Sequence, residues 1–159
     1  MIFASTFNQS FSLDGSQGLK IARLRITNLS EFASGAKIAI TRIPAGIYIH
    51  QIKLLARNAN GFAFDLGCFQ PESCDTPAQE DATFFLNNYL INTDGCMMPP
   101  CCSWSCGNPC STDCCPALPS KDGCATTPEK RWENPLMVMT VRTPVTAACA
   151  ELTLVIEYQ

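Results

Sequence analysis

The fold is decided by a stretch near the end of the chain, Leu152-Thr153-Leu154-Val155-Ile156-Glu157-Tyr158. Every second side chain in it, from Leu152 to Tyr158, is large and apolar, and the three residues between them are smaller or charged. Successive side chains of a β-strand point to opposite faces of a sheet. This period of two therefore predicts a strand with one face in a hydrophobic core.

Earlier stretches show the same alternation or are rich in β-branched and aromatic residues. Turn-forming clusters such as Pro44-Ala45-Gly46 and Asn58-Ala59-Asn60-Gly61 separate them. A short connection leads into the last strand, so we expect that strand to run antiparallel to its predecessor. The predicted strands before the last one cover residues 22–27, 37–43, 47–55, 62–66, 82–92 and 136–143.

Seven or eight short strands without a convincing amphipathic helix predict an all-β protein, an antiparallel β-sandwich or jelly roll. A chain of 159 residues, of which 47% are hydrophobic, is long enough for one domain with a core. Residues 1–18 are polar and carry glycines, which predicts an N-terminal extended arm. Residues 19–159 are then a single β-sandwich domain, into which a long cysteine-rich loop is inserted at 96–124.

No apolar run in the sequence approaches the roughly 20 residues that a membrane span needs. The opening Met1-Ile2-Phe3-Ala4-Ser5 has neither a basic segment nor a sustained apolar stretch. We therefore expect no membrane association and no secretory signal.

The cysteines are concentrated in one part of the chain, because eight of the 11 fall within residues 96–124. Prolines are frequent there too, which excludes a regular helix or a central strand. The spacing favours disulfides that staple the loop, although a zinc site and reduced thiols remain alternatives. Eight cysteines permit 105 pairings, so the connectivity is open. The predicted structural disulfide cluster comprises Cys96, Cys101, Cys102, Cys106, Cys110, Cys114, Cys115 and Cys124.

The other three cysteines lie outside this loop. Cys68 and Cys74 are close enough in sequence to form a separate disulfide around a small loop of their own. Cys149, just before the last strand, is left without an obvious partner. We expect it to be a small buried apolar residue, with an intermolecular bridge as the less favoured alternative.

Charge is divided unevenly along the chain, with a net charge of +5 in residues 1–60 and −8 in residues 61–159. The basic residues alternate along predicted strands rather than forming a run, and no aromatic residues are interleaved with them. This pattern favours an exposed strand face, solvated or docked on an acidic neighbour, over a nucleic-acid site.

Catalytic chemistry has no positive support in the sequence. The chain has one histidine, His50, and lacks the G-x-S-x-G motif that positions a serine nucleophile. Its acidic residues show no diagnostic pairing, and no phosphate-binding or dinucleotide-binding motif is present. We therefore expect no enzyme activity, no catalytic residue, no cofactor, no metal site and no small-molecule substrate.

Four stretches of the chain form a recognisable order. The first is Arg42-Ile43-Pro44-Ala45-Gly46-Ile47-Tyr48-Ile49, the two in the middle are Phe64-Asp65-Leu66-Gly67 and Phe84–Leu90, and the last is Ala150–Tyr158. This order resembles that of small virion proteins of tailed bacteriophages. The first stretch looks like their I-P-A-G-x-x-I strand, the middle two are similar to their middle hairpins, and the last is similar to their closing strand. The resemblance covers about half of the chain and does not extend to the 96–124 insertion.

The resemblance implies a non-enzymatic virion protein, a head decoration (cement) protein that stabilises a phage capsid, with a head–tail or tail accessory place as the nearest variant. Its partners would be the major capsid protein and copies of itself, as a trimer, whereas the charge pattern disfavours nucleic acid and no membrane partner is expected. It would assemble in the host cytoplasm and be exposed on the virion after lysis. Two alternatives remain: an extracellular surface binding module with a disulfide-stapled recognition loop, and a metal-binding protein that uses the cysteine cluster.

Overall fold

The computed structural model describes residues 1–3, 8–9, 11, 18–44, 47, 49–74, 77–97 and 134–159. The described residues form ten β-strands and one short 3-10 helix, Leu29–Glu31. No helix within this part of the chain has the length and hydrophobicity that a membrane crossing requires. The strands are β1 (Ile2–Phe3), β2 (Asn8–Gln9), β3 (Lys20–Ile26), β4 (Lys37–Arg42), β5 (Ile49–Arg57), β6 (Ala63–Gln70), β7 (Gln79–Leu90), β8 (Gly95–Met97), β9 (Leu136–Thr143) and β10 (Glu151–Tyr158).

The strands form two sheets that pack face to face. Sheet A has the order β1-β4-β9-β6-β7, and sheet B has the order β2-β3-β10-β5-β8. Every pair is antiparallel except β1 with β4, which is parallel. From β3 to β10, consecutive strands lie in different sheets, with the β6–β7 pair as the exception. This alternation between two four-stranded antiparallel sheets is a jelly roll, which confirms the predicted fold class.

Strand β10 lies inside sheet B, paired on one side with β3 and on the other with β5. Its side chains alternate as predicted, since those from Leu152 to Tyr158 at every second position are buried. β9 and β10 lie in different sheets, so the antiparallel partners of β10 are not its predecessor in sequence. Residues 144–150 instead carry the chain from one sheet to the other.

The hydrophobic core fills the space between the sheets. It includes Phe64 and Phe85 from sheet A and Phe62 just before β6, all fully buried. The rings of Phe11 and Tyr158 meet edge to face with centroids 4.8 Å apart. Burial of each large apolar side chain stabilises the folded state by about 1.5–3 kcal/mol before entropy is counted, so this core supplies the main driving force for the sandwich.

Strand β7 is irregular where it pairs with β6. The register shifts at two places, one beside Asp65 and one beside Gly67. At the second, an added Cβ on Gly67 would lie 2.0 Å from the carbonyl oxygen of Asp81. Only glycine allows the two backbones to approach this closely, so the residue at 67 is set by packing.

The predicted domain boundaries remain predictions, but parts of both predicted segments are described. Within the range 1–18, β1 pairs with β4 and β2 pairs with β3 of the same chain. The range 96–124 begins inside sheet B, because Cys96 lies in β8 opposite Leu55. The other residues of that range after Met97 lie outside the described residues.

Candidate functional site

Only part of the predicted cysteine cluster is described. Cys96 is an exposed free thiol on β8, whereas Cys101, Cys102, Cys106, Cys110, Cys114, Cys115 and Cys124 lie outside the described residues. Cys68 is buried in the core, and Cys74 is exposed in the loop after β6. The predicted cluster and the predicted Cys68–Cys74 disulfide therefore stay predictions.

The expectation that Cys149 is buried is wrong. Its thiol is exposed, and its backbone has φ +57° in the turn before β10. The connection from sheet A to sheet B turns at this point on the surface, and the neighbouring Ala150 supplies the buried small side chain instead. Sequence proximity to a buried strand did not indicate which of the two adjacent small residues faces inward.

Catalytic and metal-binding groups are not clustered in the described residues. No three His, Cys, Asp or Glu side chains among them are placed to hold a metal ion. His50 is exposed at a register shift of β5, where β10 pairs with Ile49 and Gln51. Burial raises the pKa of Tyr89 above its ordinary value, and this ring packs edge to face on Phe64 at 6.1 Å.

The outer face of sheet A, the face turned away from the core, carries small or neutral side chains on its inner strands. Ala39, Ala63, Val138 and Thr140 on this face are all buried. They alternate with core residues along β4, β6 and β9. This outer face therefore offers little polar surface at its centre.

An ion pair between the buried Asp65 and the half-exposed Arg142 lies on the same face and connects three strands. The carboxylate of Asp65 is fully buried and accepts a hydrogen bond from Nε of Arg142 at 2.5 Å. Its other oxygen accepts a hydrogen bond from the backbone N–H of Asn88 at 2.6 Å. Asn88 has φ +45° and sits at the register shift of β7. The Asp65 carboxylate thus replaces a ladder partner that the irregular strand lacks.

The outer face of sheet B is different, and we call it the basic face. It is defined by the outward residues of β3, β10, β5 and β8. Its charged members are four cations and two anions, and none of its described side chains is aromatic. These outward residues are Ile21, Arg23, Arg25, Glu151, Thr153, Val155, Glu157, Gln51, Lys53, Leu55, Arg57 and Cys96.

Two of the four cations on the basic face are paired within the sheet. Arg25 binds Glu151 at 2.5 Å, and Lys53 binds Glu157 at 2.6 Å. Arg23 and Arg57 are exposed and have no carboxylate partner among the described residues. The face therefore keeps a net charge of +2 from its described residues, carried by Arg23 and Arg57, which no described carboxylate neutralises.

Apolar groups accompany these arginines. Ile21 and Leu55 are 47% and 42% exposed on the same face, and Val155 lies between Arg23 and Lys53. Exposed apolar side chains beside unpaired arginines are typical of docking surfaces, where arginine is enriched. The basic face is accordingly the candidate functional site.

The sequence predicts that each of these basic side chains faces outward on its own strand, but not that they lie together on one surface. Alternation along residues 20–26 and 49–57 already placed the basic side chains on one face of each strand. That β3 and β5 both flank β10 is a consequence of the jelly-roll connections and has no local signal. Tertiary structure therefore brings four separate cations and two glutamates into one surface.

Comparisons with known proteins give a weak likeness in structure. No family model and no curated protein matches the chain. The chain is similar to a chain of the solved structure "Cyanophage Pam1 capsid asymmetric unit", at 12% sequence identity and a TM-score of 0.45. The alignment covers 94% of this chain and 93% of that chain. At this TM-score the likeness carries no argument about function.

Proposed function

We propose that this chain is a non-enzymatic structural protein of a tailed-phage virion, and specifically a head decoration (cement) protein. The observation that carries the proposal is where the phage-like stretches fall in the jelly roll. The closing stretch forms β10, which pairs with β5, the strand that follows the I-P-A-G stretch. The two middle stretches form β6 and β7, which also pair. The resembling segments are thus neighbours in space as well as similar in order.

The physical properties of the sandwich suit this role. A jelly roll closed by a large apolar core is a rigid body, and rigid bodies lose little conformational entropy when they dock. The basic face offers charge and exposed apolar groups on a broad sheet surface. These features support binding to a capsid surface better than they support turnover of a substrate.

The proposed partners are the major capsid protein and further copies of this chain, in a trimer. The chain would be assembled onto particles in the host cytoplasm and exposed on the virion after lysis. Disulfides in the 96–124 loop would form after release, in the oxidising environment where such bonds persist.

The decoration role is tested on particles. Phage particles from the source of the gene are banded on a density gradient, and their proteins are quantified by mass spectrometry. We expect this chain at a constant ratio to the major capsid protein in intact heads. Recovery of the chain only as a soluble protein, absent from heads and tails alike, would overturn the proposal.

The predicted disulfide cluster has its own test. Intact mass is measured on the oxidised, folded chain before and after reduction. Each disulfide lowers the mass by two hydrogen atoms, so we expect the oxidised chain to be lighter by the equivalent of four bonds from the cluster, with a fifth if Cys68 pairs with Cys74. A fully reduced chain that retains bound zinc would contradict the disulfide prediction and support the metal-binding alternative.

A further inference from the structure

The two outer faces of the sandwich are not equivalent as binding surfaces. On sheet A, the central outward residues are buried, and the charged Asp65 and Arg142 are paired with each other. On sheet B, the outward residues are exposed or half-buried, and Arg23 and Arg57 are unpaired among the described residues. An incoming partner therefore finds unsatisfied charge on sheet B.

We propose that the basic face of sheet B is the surface by which this chain docks onto an acidic protein surface of the capsid. The proposal rests on the proposed function and specifies which surface performs it. Arg23 and Arg57 supply the ionic contacts, and the neighbouring Ile21 and Leu55 supply the apolar contacts.

Charge complementarity indicates which partner binds the basic face. A second copy of the chain packed face to face would bring two surfaces of net charge +2 together, which costs free energy. An acidic protein surface satisfies both free arginines and leaves the two existing ion pairs intact. Carboxylates bind arginine through two parallel hydrogen bonds, which adds geometric specificity to the attraction.

The geometry also favours a protein over a nucleic acid. Arg23 and Arg57 lie on strands separated by β10 and are offset along the sheet, which places their Cα atoms roughly 15 Å apart from ordinary strand spacings. Single-stranded nucleic acid is bound through aromatic side chains that stack on bases, and the described basic face has none. Two of its four cations are moreover already neutralised by Glu151 and Glu157.

The test uses particles that lack this chain, assembled from a phage in which the gene is deleted, and the purified full-length chain added back. Binding is measured by co-sedimentation over a range of concentrations. We expect the double variant Arg23→Glu/Arg57→Glu to bind at least about tenfold more weakly than the wild-type chain, because each substitution replaces an attraction by a repulsion. Binding of the wild-type chain should also weaken as salt is raised.

A matched control separates a local effect from a change in net charge. Arg23→Glu is compared with Lys37→Glu, which changes the charge equally but lies on sheet A, where Lys37 pairs with Glu80 at 2.5 Å. We expect Lys37→Glu to bind within about twofold of the wild type. Melting temperatures of all variants are measured first, since exposed substitutions should leave the fold intact.

The outcomes distinguish the two proposals. If the wild-type chain does not bind the particles, the decoration role fails and the docking surface with it. If the wild-type chain binds but the double variant binds equally well, the role stands and the basic face is the wrong surface. If the wild-type chain binds a single-stranded DNA oligonucleotide and the double variant loses that binding while still binding particles, the face is a nucleic-acid site and the proposal is overturned.

Discussion

The outer faces of the two sheets differ in the side chains they carry and in how far those side chains are buried. Both belong to sheets whose inner faces share one core. On sheet A the outward positions carry small or neutral residues such as Ala39 and Val138, and these are buried. On sheet B they carry alternating charges and exposed apolar groups such as Leu55.

This difference indicates that the outer face of sheet A contributes to the stability of the sandwich and that the basic face contributes to binding. Close packing makes a buried position sensitive to a single added or removed group. Exposed charged positions contribute little to folding, because water screens them. Substitutions on the outer face of sheet A should therefore change the free energy of unfolding, and substitutions on the basic face should change binding.

The largest effect is expected for Gly67→Ala on sheet A. The added methyl group would lie 2.0 Å from the carbonyl oxygen of Asp81, so the backbones of β6 and β7 must separate. We expect a loss of about 3 kcal/mol of unfolding free energy, measured by urea denaturation. Gly61→Ala is the control, because it has positive φ but open space around the added group, and it should cost about 1 kcal/mol. Equal effects at both positions would show that the β6–β7 approach is not tight.

The next effect concerns the ion pair of Asp65 and Arg142 on sheet A, in which the carboxylate is fully buried. Arg142→Gln leaves the fully buried Asp65 carboxylate without its cation, and we expect a loss of about 2–3 kcal/mol. Asp65→Asn in the same background removes the unpaired charge, so the double variant should recover part of the lost stability. Urea denaturation of the two single variants and the double variant gives the coupling free energy. A coupling energy near zero would show that the pair does not stabilise this face.

A smaller effect of opposite sign is expected for Thr140→Val. The hydroxyl of Thr140 is buried and has no hydrogen-bond partner among the described residues, and an unsatisfied buried hydroxyl costs free energy. Valine has nearly the same shape, so we expect a gain of about 1 kcal/mol in thermal or urea unfolding. Thr153→Val on the basic face is the control, because Thr153 is half-buried on sheet B. A destabilised Thr140→Val variant would show that this hydroxyl is satisfied in solution.

The smallest effect is expected on the basic face. Arg25 and Glu151 form an ion pair in which both side chains are partly exposed, the carboxylate included, so Arg25→Ala leaves no buried charge unpaired and should cost no more than about 0.5 kcal/mol. The effect should shrink further in high salt. A loss as large as that of Arg142→Gln would show that the two faces contribute equally to stability and would contradict the comparison.

The strands with strong alternation were predictable from the sequence. Five strands lie within a few residues of their predicted bounds, namely β3, β4, β5, β9 and β10. Apolar side chains at every second position share one face when the backbone is extended, so this pattern predicts a strand that covers a core. β8 was not predicted, since its three residues, Gly95–Met97, are too few to show a period. The short strands β1 and β2 lie in a range that the sequence interpretation treated as an extended arm.

The ion pair, the close backbone contact and the exposed cysteine described above could not be predicted from the sequence. Asp65 sits at the centre of a strand pattern, and nothing local indicates that Arg142, 77 residues away, neutralises it. The same holds for Gly67, whose close contact with Asp81 exists only because β7 bulges there. The exposure of Cys149 depends on the path between the sheets, which the expectation of a buried thiol did not anticipate.

The sequence alone is enough to predict that this protein is all-β and which face of each regular strand points inward. The reason is physical: side-chain alternation and hydrophobic burial act on neighbouring residues and are visible in any window of the chain. Which strands are adjacent is known from the tertiary structure alone. The strand order in turn sets which charged side chains of the basic face form ion pairs with each other. Arg23 and Arg57 are unpaired among the described residues because the jelly-roll connections place β10, with only two glutamates facing outward, between β3 and β5.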